Sequence, residues 1–350
     1  MACVLNSNTE ERKLPYSKLA LNLEYIGPAT ASKEVWHWDI APIEDGNGVI
    51  HLFLGEWKDE FTNWYKNAAL AHYTAPSPEG PYTFRDYAIT PDQLPGEYTS
   101  IFNGHMKKID DEYVLIYTAS SYHGDREWTL SNQAVCMAHS KSLDGPWEFY
   151  GQDGTVIRKS NDPSDFSYGS CCGCVNPCME KIGDRYWIFY RCGKTRGRDM
   201  KYCAAVSDSL LGTYVPQGAV TDNINYIEDG DCFLLDGTEY LLTTDNTGGN
   251  TLGFSGDIFG RRDNAFGILW KMQDGKFSLK NAKVGYGLLS DYISDMSHAT
   301  CPEFGAFDKV ERPAFLIQNG KPTYLYCCAY TSVEGTGMSQ TYVFKIHGLD

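Results

Sequence analysis

The sequence predicts an all-β fold, a five-bladed β-propeller, from three observations. Five hairpins recur along its 350 residues, each with an apolar strand, a polar turn and an aromatic-rich strand. A similar tag of small and aromatic residues follows three of the hairpins, at 79–84, 144–149 and 211–214. Helical periodicity is scarce, and about 70 residues per unit is enough for a four-stranded blade with a long loop. A β-sandwich is the alternative, but it does not predict tagged repeats.

Each predicted hairpin has its own turn signal. The turns are at 44–48, 110–111, 183–184, 236–237 and 319–320. Asp-Gly and Asn-Gly between apolar runs, as at the last two turns, are strong signals for a hairpin. The hairpins therefore predict the two inner strands of five blades. We expect residues 1–30 to form an N-terminal lead-in or closure segment and residues 31–350 to form the propeller and carry the catalytic site.

Composition and charge exclude several classes of function. The chain has 45 acidic and 30 basic residues, and the net charge of −15 argues against a general nucleic-acid or anionic-membrane surface. It has no apolar run long enough for a spanning helix and no visible signal peptide. We nevertheless favour a periplasmic or extracellular location after signal removal over a cytoplasmic one, and a homodimer is an open expectation.

The twelve cysteines do not form a disulfide pattern. Two pairs are adjacent in the chain, and neighbours on a strand face opposite ways. The cluster at Cys171, Cys172, Cys174 and Cys178 lacks the paired knuckles of a structural metal site. We therefore expect buried free thiols and no metal ligands among them.

A polar residue stands near the head of each predicted inner strand, five to eight residues before the turn. In a propeller these heads converge at one mouth of the central channel. The residues are Asp39, His105, Asn176, Asp229 (preceded by Glu228) and Glu311. Converging carboxylates are what glycoside cleavage requires, because one protonates the leaving oxygen and another activates water or attacks the sugar.

Three motifs resemble a known group of enzymes. They are the segment 36–42 (WHWDIAP), the acidic pair Glu228-Asp229 and the Gly-Pro-aromatic tags. Together they are similar to the five-bladed propeller glycoside hydrolases of families 43, 32, 62, 68 and 117. The segment from His298 to Glu311-Arg312-Pro313 most resembles family 117, the anhydro-galactosidases.

The resemblance implies exo-acting, inverting removal of a terminal sugar. It makes Asp39 the general base and assigns the tuning of the site, or the acid role, to Asp229 or Glu228. Glu311, or His298 in the family 117 pattern, is then the acid. The chain departs from family 43 at Asn176, where that family has an aspartate, and residues 1–30 are shorter than the helical segment of family 117.

Further residues are expected to bind substrate or an ion. We expect substrate contacts from Trp36, Trp38, His105, Asn176, Arg191 and Arg312, with one tryptophan as a sugar platform. No cofactor is required, but the resemblance allows a structural Ca²⁺ or other divalent ion in the central channel.

Two other functions stay open at this stage. A phosphate-dependent glycoside phosphorylase needs a basic cluster, which only Arg191, Arg196, Arg198 and Arg312 could supply. A non-catalytic carbohydrate-binding propeller is favoured by Asn176. The Gly-rich stretch 245–250 is not a phosphate loop, because no Gly-Lys-Ser/Thr follows it. The loops that would select the sugar cannot be folded from sequence.

Overall fold

The computed structural model describes residues 14–58, 60–195, 199–222, 227–245, 266–295, 300–301, 305–306, 309–329 and 339–349. It confirms the five-bladed β-propeller. Five antiparallel sheets follow one another along the chain, and each has four or five strands. Among the described residues, no helix is long and apolar enough to cross a membrane.

The first strand of the chain, β1 (Leu23–Ala31), belongs to the last blade, and each remaining blade is built in chain order. Blade 1 contains β2 (Trp36–Glu44), β3 (Ile50–Trp57), β4 (Ala69–Ala75) and β5 (Thr83–Ile89). Blade 2 contains β6 (Ser100–Ile109), β7 (Glu112–Ser120), β8 (Ala134–Ser140), β9 (Glu148–Phe149) and β10 (Thr155–Ile157). Blade 3 contains β11 (Val175–Ile182), β12 (Arg185–Cys192), β13 (Lys201–Ser207) and β14 (Val215–Ala219).

The last two blades complete the ring. Blade 4 contains β15 (Ile227–Leu235), β16 (Thr238–Asp245), β17 (Phe266–Gln273), β18 (Lys276–Phe277) and β19 (Lys283–Tyr286). A small ladder joins β20 (Thr300–Cys301) to β21 (Gly305–Ala306). Blade 5 contains β22 (Glu311–Gln318), β23 (Lys321–Ala329) and β24 (Gln340–Ile346), and β1 pairs with β24 as its outer strand. The first and last described strands therefore share one sheet.

In the part of the chain that the structure describes, helical structure is limited to short connections. The α-helices are α1 (Lys18–Leu21), α2 (Trp64–Asn67) and α3 (Arg126–Ser131). Single 3₁₀ turns span Phe61–Asn63, Pro91–Gln93, Leu279–Asn281 and Leu289–Asp291. These short helices form no separate layer, and the described lining of the central channel comes from the inner strands and their turns.

The hydrophobic core is divided among the interfaces between blades. Five clusters of buried apolar residues are present, and each takes its members from two neighbouring blades. The cluster between blades 5 and 1 includes Trp38 and Tyr326, so it closes the ring. The tags serve these interfaces: the Tyr82 hydroxyl lies 2.7 Å from that of Tyr326, and the Trp147 ring lies edge-on to Phe53 at 6.0 Å. The repeated tags therefore hold neighbouring blades together.

Candidate active site

One residue on each innermost strand has a left-handed backbone conformation, with φ between 51° and 60°. Each lies in a β-bulge, where the pairing with the second strand skips residues. A bulge re-aims its side chain. These five residues, which we call the polar ring, are Asp39, Asn103, Asn176, Asp229 and Arg312.

The local sequence explains four of the five conformations. Aspartate and asparagine tolerate the left-handed region better than other residues that have a Cβ. Arginine has no such tolerance, so Arg312 needs stabilisation from its surroundings. The contacts of its guanidinium group and its backbone supply that stabilisation.

Arg312 connects the two carboxylates of the polar ring. Its Nε lies 2.8 Å from Asp39 Oδ1, and its Nη1 lies 2.7 Å from Asp229 Oδ1. Asn103 donates its amide to Asp39 Oδ1 at 2.9 Å, and Asn176 donates to Asp229 Oδ1 at 3.1 Å. The five side chains thus form one contact chain across the axis.

Two neighbouring side chains support the asparagines of the polar ring. The hydroxyl of Thr118 donates to Asn103 Oδ1 at 3.0 Å and accepts the backbone N–H of Asn176 at 3.1 Å. The hydroxyl of Tyr202 donates to the Asn176 carbonyl at 3.2 Å and accepts the N–H of Gly230. A Cβ on Gly230 would lie 2.6 Å from the Tyr202 ring, so only glycine fits there.

Burial and charge act in opposite directions on the polar ring. Burial raises the pKa of Asp229 well above its usual value, Arg312 opposes this, and Glu228 and Glu311 add to it. Burial also works to lower the pKa of Arg312, but Asp229 and Asp39 raise it above its ordinary value. Arg312 therefore stays charged, and it stabilises both buried carboxylates.

Three carboxylates form a second layer beside the polar ring. Ligand oxygens of Glu228, Asp229 and Glu311 all lie within 4.8 Å of one another. Each member of this carboxylate trio faces a cation: Glu228 Oε2 lies 2.6 Å from Arg191 Nη1, Glu311 pairs with Lys309, and Asp229 pairs with Arg312. Because Arg312 also contacts Asp39, these three cations face four carboxylates in all.

The structure places two predicted site residues differently from the count along the sequence. His105 lies two positions beyond the ring residue Asn103, with its Nε2 2.7 Å from Asp231 Oδ1 and its Nδ1 accepting the Met179 N–H. Glu311 is adjacent to the ring residue Arg312. The ring residues Asn103, Asn176, Asp229 and Arg312 each lie seven residues before the first residue of the turn, whereas the prediction accepted polar residues five to eight residues before it. Asn103 was not predicted from the sequence, and this constant count was the available signal for it.

The two tryptophans expected to contact substrate, one of them as a sugar platform, are both buried. Trp36 and Trp38 are each 6% exposed, and both rings pack edge-on against Phe61 at 5.3 and 5.1 Å. They belong to the core between blades 5 and 1. Neither ring face is available to a sugar, so the prediction of a platform at these positions is wrong.

A cavity of about 570 Å³ lies in the central channel on the turn side of the polar ring. Its lining includes the ring and the inner hairpins, but neither Glu228 nor Glu311. The ammonium of Lys107 contacts Glu180 and the Cys232 carbonyl, and His105 engages Asp231. Calcium prefers six to eight oxygen ligands. These oxygens already bind cationic or N–H groups, so the channel residues do not fit the expected calcium ion.

Some predicted residues lie outside the described residues. These are His298, Arg196, Arg198 and most of the Gly-rich stretch 245–250. Ten described cysteines are free thiols, including the four of the predicted cluster.

No protein-family profile and no curated protein matches the sequence. Solved structures do match. A family 117 glycoside hydrolase from the marine bacterium Zobellia galactanivorans superposes with a TM-score of 0.60 at 14% identity, covering 94% of this chain and 91% of that one. A glycosyl hydrolase from Bacteroides ovatus gives 0.62 at 13% identity, covering 98% and 100%.

A family 43 endo-arabinanase from Bacillus licheniformis gives a TM-score of 0.53 at 15% identity, covering 88% of this chain and 93% of that one. The fold is therefore the five-bladed propeller found in glycoside hydrolases of these families. At such identities the likeness establishes the fold, and the chemistry has to be argued from this chain's own residues.

Proposed function

We propose that the chain is a glycoside hydrolase that removes a terminal sugar from an oligosaccharide with inversion. One observation carries the proposal: Asp39 and the carboxylate trio converge around a single guanidinium group at one mouth of the channel. The polar ring closes the axis at this level, which favours a pocket that accepts a chain end. The fold shared with glycoside hydrolases supports the same reading.

Asp39 is the proposed general base. Its contacts with Asn103 and Arg312 both use Oδ1, which leaves Oδ2 to accept a proton from water. The Oδ1 atoms of Asp39 and Asp229 contact one guanidinium group at 2.8 and 2.7 Å, so they lie within about 8 Å of each other. Inversion requires about 6.5–9.5 Å between the base and the acid, whereas retention requires about 5–5.5 Å.

The proposed acid is Glu311 or His298, with Asp229 as a positioning residue. Both oxygens of Asp229 are engaged: Oδ1 by Arg312 Nη1 and the Asn176 amide, and Oδ2 by the Arg312 backbone N–H at 3.4 Å. Glu311 is more accessible, with 14% side-chain exposure. Glu311 also lies beside Glu228 and Asp229, with ligand oxygens of all three within 4.8 Å of one another.

A test separates the two acid candidates. Glu311→Gln and His298→Asn are compared on a natural oligosaccharide and on an aryl glycoside whose leaving group needs no proton. The variant of the true acid loses activity on the first substrate and keeps it on the second. A variant that loses both has lost structure or binding.

The phosphorylase reading has less support. Arg191 pairs with Glu228, and Arg312 pairs with Asp39 and Asp229. Both described arginines of the expected phosphate cluster are therefore neutralised by carboxylates. The binding-propeller reading rested on Asn176, whose amide donates to Asp229 and so supports that carboxylate without a charge.

The deciding experiment measures turnover on a panel of plant and algal oligosaccharides, with and without phosphate. Wild type is compared with Asp39→Asn and with Asp92→Asn, a control on the surface turn at 91–93. The proposal is supported if wild type and Asp92→Asn release free sugar with or without phosphate and Asp39→Asn does not. A sugar phosphate product would support the phosphorylase, and binding without turnover the binding propeller.

A further inference from the structure

Two buried histidines face each other in blade 1, away from the polar ring. His51 on β3 is 4% exposed and His72 on β4 is fully buried. The Nδ1 atom of His51 lies 2.8 Å from the Nε2 atom of His72. The proposed hydrolase mechanism uses neither of them.

The outer nitrogen of each ring faces a carboxylate. His72 Nδ1 lies 3.1 Å from Asp86 Oδ1, and His51 Nε2 lies 3.8 Å from Asp45 Oδ2. If both outer nitrogens carry their protons toward these carboxylates, both facing nitrogens present lone pairs to each other. If one facing nitrogen carries the proton, the outer nitrogen of the same ring presents a lone pair to a carboxylate. A cation bound by both facing nitrogens removes this conflict, because both outer nitrogens can then keep their protons toward the carboxylates and both facing lone pairs have a partner.

Metal ions bind imidazole in its neutral form, through the lone pair of a ring nitrogen. When both outer nitrogens carry their protons toward the carboxylates, the two facing nitrogens lie 2.8 Å apart with one lone pair each, and one cation can contact both.

A third ligand comes from the neighbouring blade. Asp144 lies in the blade 2 tag, and its carboxylate oxygen and one nitrogen of each histidine all lie within 4.8 Å of one another. Arg85 Nη2 also contacts Asp144, at 2.8 Å. With neutral rings, the three aspartates and Arg85 leave this group with two net negative charges, which a divalent cation would balance.

We propose that His51 Nδ1, His72 Nε2 and the Asp144 carboxylate bind one zinc ion, with water as the fourth ligand. Zinc takes histidine and carboxylate ligands at about 2.0–2.2 Å in a tetrahedral arrangement. Ligating histidines usually donate the other ring N–H to a carboxylate, which is the place of Asp86 and Asp45 here. The ion would tie β3 and β4 of blade 1 to the tag of blade 2. This site is independent of the proposed hydrolase activity.

The test uses the full chain after treatment with a chelator. Zinc is titrated and quantified after equilibrium dialysis, and Co²⁺ replaces it for absorption spectra. We expect one ion per chain, a higher Tm with zinc, and the visible bands of tetrahedral cobalt with nitrogen and oxygen ligands. His72→Gln removes all three results, Asp86→Asn weakens binding by about 10- to 100-fold, and the control His139→Gln changes nothing.

Two results would overturn the site. One is zinc binding by wild type that is no tighter than binding by the folded double variant His51→Gln/His72→Gln. The other is a cobalt spectrum with thiolate charge-transfer bands that disappear in Cys171→Ser/Cys172→Ser, which would place the metal on cysteines. Asp144→Asn keeps the test decisive if the histidine variants fail to fold. Asp144 has 47% side-chain exposure, so its replacement should leave the blade folded and still weaken zinc binding at least tenfold.

Discussion

Replacement of Arg312 by lysine tests the electrostatic design of the polar ring. The guanidinium group contacts Asp39 through Nε and Asp229 through Nη1, at 2.8 and 2.7 Å. Lysine keeps the positive charge but has a single nitrogen, so it cannot hold both contacts in this geometry. One charge-assisted contact of about 1.5–3 kcal/mol is lost. If the transition state feels that loss in full, kcat falls by about 10- to 150-fold.

The assay measures kcat and KM for sugar release, together with unfolding in urea. Arg312→Lys should lower kcat more than it raises KM, because the guanidinium group positions the two carboxylates. Arg158→Lys is the matched control, since Arg158 pairs with Asp153 at 2.6 Å on the surface with 53% side-chain exposure. Full kcat and full stability in Arg312→Lys would refute the idea that one guanidinium group positions the two carboxylates.

Three further substitutions test the surroundings of the polar ring. Asn103→Ala removes the hydrogen-bond donor to Asp39 and places alanine at a φ of 52°. We expect kcat to fall at least tenfold and the free energy of unfolding, measured in urea, to fall by about 2 kcal/mol. Unchanged kcat and stability would exclude Asn103 from the site. Tyr202→Phe leaves the Gly230 N–H without its acceptor and should cost about 1–3 kcal/mol, which urea unfolding measures. Glu239 is buried, and neither of its carboxylate oxygens has a hydrogen-bond partner among the described residues. Burial, and after it the negative charge of Glu180, raises the pKa of Glu239 in the folded protein. Folding stability should therefore fall by up to about 1.4 kcal/mol per pH unit as the pH rises from the pKa in the unfolded chain toward the pKa in the folded protein. Glu239→Gln should flatten that slope, and an unchanged slope would exclude Glu239 as its source.

The repeated hairpins and tags were sufficient to predict the fold. A blade has a local signature, since turn chemistry and strand pattern lie within a few dozen residues of each other. The five core clusters then follow, because each blade has two apolar faces to bury. Carboxylates near the strand heads were also visible from the sequence at Asp39 and Asp229.

The fine structure of the site was less predictable. The ring residues of blades 2 to 5 all lie seven residues before the turn, but the prediction chose His105 and Glu311 nearby for their chemistry instead of Asn103 and Arg312. The alternation of Trp36 and Trp38 with other residues predicted that both rings lie on one face of their strand. Phe61, in the connection between β3 and β4, packs against both rings. Contacts between distant segments decide such burial, and a periodic pattern does not record them.

The anomeric configuration of the first product tests the proposed mechanism most directly. Proton NMR during the first minutes of reaction, on the oligosaccharide that wild type cleaves fastest, shows which anomer forms before mutarotation. We predict the inverted anomer, and a rate about 10²- to 10⁴-fold lower in Asp39→Asn because the general base is lost. Asn103 and Asn176 occupy the equivalent ring positions, so asparagine at 39 should preserve the fold. A retained anomer, or full activity in Asp39→Asn, would contradict an inverting hydrolase with Asp39 as its base.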